Sequence, residues 1–171
     1  MDQLWAPWRM TYIATADEVS PACIFCQFPS EGPARFRERL ILCATDRAFA
    51  IMNRYPYNAG HVMVVPRAHV DDPVKLSVEE YAATTELLRA ATSAVRAALA
   101  PHGFNLGMNL GRIAGAGIDQ HCHYHVVPRW SGDTNFMPVI GDLKVMPEHL
   151  LATYERLLPH FASLGTPPAP L

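Results

Sequence analysis

Histidines stand at every second position in His121-Cys122-His123-Tyr124-His125, and Val126-Val127-Pro128 follows. The intervening residues are small or aromatic and the following ones β-branched, which predicts a buried-edge strand. Side chains at i, i+2 and i+4 of a strand share one face, so the three imidazoles would line one ridge. Neutral imidazole offers a nucleophilic or metal-binding nitrogen near neutral pH. Packing alone does not account for three such rings. A second signal is Cys23-Ile24-Phe25-Cys26, which fits a redox pair or half of a zinc site. The redox alternative calls for a strand-to-helix setting that the surrounding chain does not supply. The zinc alternative calls for four nitrogen or sulfur ligands, two more than this motif contains. A third signal is the loop from Gly111 to Ile118, where Gly111, Gly115 and Gly117 would let backbone N–H groups approach an anion. A tight turn explains the same glycines.

The elements that must position these groups read as α+β. Leu40 to Cys43 and Phe49 to Met52 predict an antiparallel hairpin across Thr45-Asp46-Arg47. The loop from Asn53 to Gly60 leads into a strand from His61 to Pro66. Ser77 with Glu80 three residues later forms a capping box, the signature of a helix start. Tyr81, Thr84, Leu88, Ala91, Val95 and Leu99 then recur at three and four as one apolar stripe, and Pro101 and Gly103 end it. Phe104 to Asn109 predicts another strand, ahead of the glycine-rich loop and the histidine strand. A shorter helix is expected from Pro147, where proline suits the first turn, to about Leu158. The proline-rich tail from Gly165 to Leu171 is expected to fray. No internal repeat is present.

The chain has 171 residues, half of them apolar, which is enough to bury one core and predicts a single domain over 1–171. Its core would span about 23–130, with 1–22 and 131–171 as extensions. Net charge is −2 and the positive residues are scattered, so no electrostatic case exists for a nucleic-acid polymer or a membrane surface. No stretch is long and apolar enough to span a bilayer. Met1 to Arg9 has neither a basic nor an apolar leader region, and a cytoplasmic protein is expected. In that compartment the four cysteines would be thiols or metal ligands rather than disulfides. Cys43 and Cys122 are expected to be small core residues, and His102, His149 and His160 to be surface residues without partners.

The alternation His-x-His-x-His-x-x resembles the signature of the histidine triad (HIT) superfamily of nucleotide hydrolases and nucleotidyltransferases. Flanking features agree: Asn53-Arg54 before a turn, Gly60-His61 opening a valine-rich strand, Pro66-Arg67-Ala68-His69 closing it, and Val127-Pro128-Arg129 after the triad. The resemblance covers roughly Cys23 to Trp130. Leu4 to Met10, Pro101 to Asn105 and Pro128 to Phe136 look like the branch that cleaves diadenosine tetraphosphate by phosphorolysis. The fold implied is HIT-like: a twisted antiparallel sheet of about five strands, with the long helix packed on it and a shorter helix besides. Two protomers would pair into a continuous sheet as a homodimer.

The resemblance also implies roles. His123 would be the nucleophile that forms a nucleotidyl-histidine, with a backbone carbonyl and the outer histidines His121 and His125 orienting it. His125 would contact phosphate oxygens, and His61 would supply a supporting hydrogen bond. Asn53 would bind the nucleoside, and apolar side chains between Leu40 and Met52 would form the base slot. Gly117 stands about where related triphosphate hydrolases carry a glutamine. That departure favours the phosphorylase-like branch, with Gly115, Gln120 and Asn109 beside the substrate. Arg112 could reach polyphosphate or simply be a solvated loop residue. Trp130 and Phe136 could stack on a base, or belong to the core or a dimer edge.

Zinc-carrying members imply a set completed by His69 and His121 beside Cys23 and Cys26. Magnesium could accompany the polyphosphate substrate. Cleavage of a dinucleoside polyphosphate with phosphate as acceptor is the activity expected, with water the alternative acceptor. Two other classes stay open: a hydrolase whose triad binds a catalytic zinc, and a nucleotide-binding adaptor without turnover.

Overall fold

A computed structural model describes residues 23–133 and 148–170 of the chain. Two short helices, α1 (Ile24–Ser30) and α2 (Phe36–Arg39), precede strands β1 (Ile41–Ala44), β2 (Ala48–Met52) and β3 (Val62–Pro66). The long helix α3 (Val78–Leu99) follows, then β4 (Gly103–Met108), β5 (Tyr124–Arg129) and helix α4 (Leu150–Phe161). The strands form one antiparallel sheet in the order β1-β2-β3-β5-β4. The expected α+β architecture with five strands is therefore present. The short helices around residues 24–39 were not anticipated, since that stretch reads as a turn and a charged connector.

Period-two alternation divides the side chains between the two faces of the sheet. Ala48, Ala50, Met52, Val62, Val64 and Val126 pack with α3 and α4 in one core. Phe49, Ile51, Met63 and Val65 point the other way, into a second core closed by Phe25 and Phe36 from the short helices. β1 serves both cores because its register shifts between Ile41 and Cys43: Ile41 and Ala44 join the second, while Leu42 and Cys43 both join the first. Met63 pairs with His125 across the β3–β5 ladder, which puts His125 on the face that carries the second core.

The capping box at Ser77 forms as expected: Ser77 N–H donates to Glu80 at 2.8 Å, and Glu80 N–H donates to the Ser77 hydroxyl at 3.2 Å. The buried stripe of α3 differs from the expected one. Thr84, Leu87, Ala91, Ala94, Val95 and Leu99 are buried, whereas Tyr81 is exposed and Leu88 only half-buried. The seam turns toward Leu87 and Ala94 because α4 packs along the same helix, which its sequence does not reveal. α4 starts at Leu150 and reaches Phe161, so the expected span to Leu158 was short; Pro147 lies outside the described residues. Its N-cap is His149, whose Nδ1 accepts from Leu151 N–H at 3.3 Å. His102 also has a partner, since its Nδ1 accepts from Ser131 N–H at 2.9 Å. Both rings lie at the surface, as expected, but each has a partner.

The tail does not fray through residue 170. Thr166 and Ala44 exchange backbone hydrogen bonds at 2.7 and 3.0 Å, and Ala169 N–H donates to Pro33 O at 3.0 Å. β1 is an edge strand with unpaired backbone groups, and the tail covers them. A Cβ at Gly165 would sit 2.6 Å from Ala44 O, so glycine permits this approach.

Two substitutions test the packing. Tyr154 is fully buried, and its hydroxyl donates to Ile41 O at 2.7 Å, tying α4 to β1. Tyr154→Phe is expected to cost about 1–2 kcal/mol in denaturant unfolding, the usual loss for one buried hydrogen bond. Gly60 has a φ of 74°, and a Cβ there would collide with Leu99 Cδ1 at the end of α3. Gly60→Ala should therefore lose about 1–3 kcal/mol, from backbone strain and overpacking combined.

Candidate active site and metal centre

The expected ridge of three histidines is only partly a strand. β5 starts at Tyr124, so His125 alone lies in the ladder, and β5 sits inside the sheet between β3 and β4 rather than at an edge. Upstream, the chain leaves β3 and turns toward the segment after it: Cys122 N–H donates to Val70 O at 2.7 Å. This departure carries the His121 ring away from His125 and toward His69.

Each ring then has a distinct set of partners. His121 is fully buried, and its Nε2 lies 2.9 Å from Pro66 O. A carbonyl only accepts, so Nε2 carries the proton and Nδ1 keeps its lone pair. That lone pair faces Cys23 Sγ at 3.4 Å, Cys26 Sγ at 3.6 Å and His69 Nδ1 at 3.3 Å. Cys26 Sγ is 3.3 Å from His69 Nδ1, and all four ligand atoms lie within 4.8 Å of one another. Burial, reinforced by His69 and His123, pulls the His121 pKa down to about 4 against the effect of the Pro66 hydrogen bond. Cys26 as a residue is exposed, but its Sγ faces the cluster; desolvation and the neighbouring Cys23 push that thiol up to about 11. A cation held here would displace the thiol proton. The donor set of two thiols and two imidazoles is complete for a four-coordinate ion.

His123 is 4 % exposed, and its Nδ1 lies 2.9 Å from the carbonyl oxygen of His121. By the same logic Nδ1 carries the proton and Nε2 the lone pair. Burial lowers its pKa from the ordinary imidazole value, although the hydrogen bond to His121 opposes the shift. The ring is thus neutral at neutral pH, in the tautomer that can act as a nucleophile through Nε2.

His125 and His61 form a relay beside it. Tyr57 N–H donates to His61 Nδ1 at 3.1 Å, which makes that nitrogen an acceptor. His61 Nε2–H can then donate to His125 Nδ1 at 2.9 Å, so the proton of His125 belongs on its Nε2. The Tyr57 ring stacks on His61 with centroids 4.7 Å apart. The His123 and His125 rings stand 4.9 Å apart, nearly perpendicular. One ring presents a lone pair and the next a donor, a pair suited to attacking phosphorus and holding its oxygens.

The other nominated residues are placed less tightly. Asn53 Oδ1 accepts from Tyr55 N–H at 2.9 Å, and its Nδ2 is 3.5 Å from His61 Nδ1, so it abuts the relay. Gly115 N–H donates to Arg112 O at 2.9 Å and Ala116 N–H to Gly111 O at 3.2 Å; the loop uses these donors to close itself. Gly117 and Gln120 are exposed and Asn109 is half-buried. Arg112 pairs with Asp119 at 3.0 Å on the surface. Phe49 and Ile51 are core. Trp130 packs against the core under α3, and Phe136 lies outside the described residues, as do Leu4 to Met10. Sequence reasoning missed Phe25, whose ring lies against His121 and His123, and Tyr57. No spacing signal marks either one.

The chain belongs to the HIT domain family, whose match spans residues 37–132. It is 39 % identical over 165 residues to a protein of Mycobacterium tuberculosis named AP-4-A phosphorylase, covering 92 % of this chain and 83 % of that one. It is 26 % identical over 136 residues to a Schizosaccharomyces pombe adenosine 5'-monophosphoramidase, covering 80 % of this chain and 96 % of that one. A zinc-bound histidine triad family protein from Mycobacterium smegmatis superposes with a TM-score of 0.62 at 25 % identity, covering 84 % of this chain and 95 % of that one.

Elemental analysis provides the test of the cluster. The purified chain is expected to carry about one divalent metal, as a complete four-ligand site would, and Cys23→Ser or His69→Gln should lose most of it. Cys43→Ser should keep it, because Cys43 is buried in the core and its thiol is pushed up to about 12.

Proposed function

We propose that the chain cleaves dinucleoside polyphosphates, diadenosine tetraphosphate foremost, and passes the adenylyl group to inorganic phosphate. The observation that carries this reading is the buried, neutral His123, its Nδ1 proton directed to the His121 carbonyl. In the first step Nε2 of His123 bonds to the α-phosphorus, the bond from that phosphorus to the bridging oxygen breaks, and ATP leaves. In the second step a phosphate oxygen displaces the histidine from phosphorus and ADP leaves. His125 donates from Nε2 to phosphate oxygens, and His61 holds His125 in that tautomer through the 2.9 Å contact. Asn53 contacts the ribose, while Asn109, Gly115, Gly117 and Gln120 flank the polyphosphate. A magnesium ion accompanying the substrate would neutralise part of its charge.

In this reading Cys23, Cys26, His69 and His121 hold a structural zinc ion. Zn–S near 2.3 Å and Zn–N near 2.0–2.1 Å give tetrahedral edges of roughly 3.3–3.8 Å. Four of the six ligand-atom separations, 3.3 to 3.6 Å, fall on those edges, and all six lie within 4.8 Å. The ion would supply a fixed joint between segments, with no part in bond breaking. A reducing cytoplasm suits thiolate ligands, and all four cysteines are free. Among the described residues β4 pairs with β5 on one side and meets no strand on the other, and Leu106 is exposed, which suits pairing with a second copy. No described helix is long and apolar enough to cross a membrane.

The phosphoramidase name of the fission-yeast relative supports a second reading, in which water is the acceptor and adenosine monophosphate esters or amidates are substrates. Product analysis separates the two. Diadenosine tetraphosphate should give ADP plus ATP only when phosphate is present; AMP plus ATP regardless of phosphate makes the chain a hydrolase. His123→Ala should reduce turnover by about 10³-fold or more, the order expected when a covalent nucleophile is removed. Retained turnover in that variant would sink the nucleotidyl-histidine.

A further inference from the structure

Two of the groups that hold the His123 ring lead back to the metal-ligand cluster. One is the His121 carbonyl, 2.9 Å from His123 Nδ1, on a residue whose own ring is a cluster ligand. The other is Phe25, which lies between the ligands Cys23 and Cys26. Its ring centroid is 4.9 Å from that of His123 with the planes tilted by 58°, and 5.5 Å from that of His121 at 78°. Phe25 has no exposed surface, and its other side packs edge-on to Phe49 at 6.3 Å. Cys26 and Gln27 N–H both donate to Cys23 O at 3.0 Å, so Cys23, Phe25 and Cys26 belong to one hydrogen-bonded turn.

Three chain segments meet here: the first turn of α1, the turn after β3 that carries His69, and the segment just before β5. Their ligand atoms converge from 43 to 98 residues apart in sequence. A single ion would bond all three. An imidazole anchored at one nitrogen can still swing about its broad terminal torsion, and a misplacement of about 1 Å can cost on the order of 10²-fold in rate. The hydrogen bond fixes one atom of the ring, and the Phe25 wall fixes its plane.

We infer that metal binding at Cys23, Cys26, His69 and His121 clamps the reactive ring of His123, acting through the His121 carbonyl and the Phe25 ring, with Phe25 as a positioning residue. This rests on the reading of His123 as nucleophile and of the cluster as a zinc site. The clamp has a consequence for regulation: a chain stripped of its metal keeps the core under α3 and α4 but loses the alignment of its nucleophile.

Two measurements test it. Long-range nitrogen–proton NMR correlations of the His123 ring are recorded on the full chain loaded with Zn²⁺, after chelation, and after Zn²⁺ is returned. The expected result is one Nδ1–H tautomer when loaded, a mixture when stripped, and recovery on return. A His123 signature indifferent to Zn²⁺ overturns the clamp. The second uses Phe25→Leu with full zinc content verified by elemental analysis. Its kcat should fall about 10- to 100-fold, the range for residues that orient a site from outside it, with KM little changed and the single-tautomer signature loosened. Wild-type kcat in that variant, or a change confined to KM, overturns the role of Phe25. Should Phe25→Leu fail to fold, the zinc titration of the wild-type chain decides by itself. The proposed activity fails separately: if the wild-type chain turns over no dinucleotide, the tautomer measurement still reports on the clamp.

Discussion

A neutral imidazole has one ring proton, and the partner at one nitrogen dictates what the other nitrogen can do. The whole site of this protein follows from that constraint. Pro66 O takes the Nε2 proton of His121 and turns its Nδ1 toward two thiols and His69. The His121 carbonyl takes the Nδ1 proton of His123 and leaves Nε2 with its lone pair. Tyr57 N–H occupies Nδ1 of His61, and the resulting relay makes His125 a donor. Four histidines of one chemical type thereby acquire four different hydrogen-bonding settings. Three of the deciding partners are backbone groups, so the assignment is built into the path of the chain.

That path depends on the sheet having two packed faces. The face under α3 and α4 is apolar and supplies a rigid base. The opposite face is closed by two short helices, and its smaller core of Phe25, Phe36, Phe49, Ile51, Met63 and Val65 runs up to the histidine rings. Water is kept from His121 and His123 by this second core, and the resulting desolvation keeps both rings neutral. Packing and reactivity share the same residues here.

Much of the fold was legible in the sequence. Alternation at Phe49 to Met52 and His61 to Pro66, the capping box at Ser77 and the stop at Pro101 each reflect contacts within a few residues, so local pattern suffices. The errors came where a distant element intervened. The burial of Leu87 in place of Leu88 depends on α4, the order of the tail depends on an open β1 edge, and the partners of His102 and His149 depend on turns. α1 hid because Cys-Ile-Phe-Cys followed by Pro29 carries no amphipathic repeat; its helix is held by Phe25 in the second core.

The sequence by itself determined the inventory of this protein: three histidines two apart, a Cys-x-x-C pair, and the strands and long helix that carry them, enough to resemble one family. The tertiary structure alone decided which atom of each ring points where. It broke the expected strand at Tyr124, sent His121 to His69 and the cysteines, and laid Phe25 across His123. The physical reason is range: periodicity is written by neighbours, whereas a proton on an imidazole is placed by carbonyls and N–H groups that only folding brings within hydrogen-bond reach.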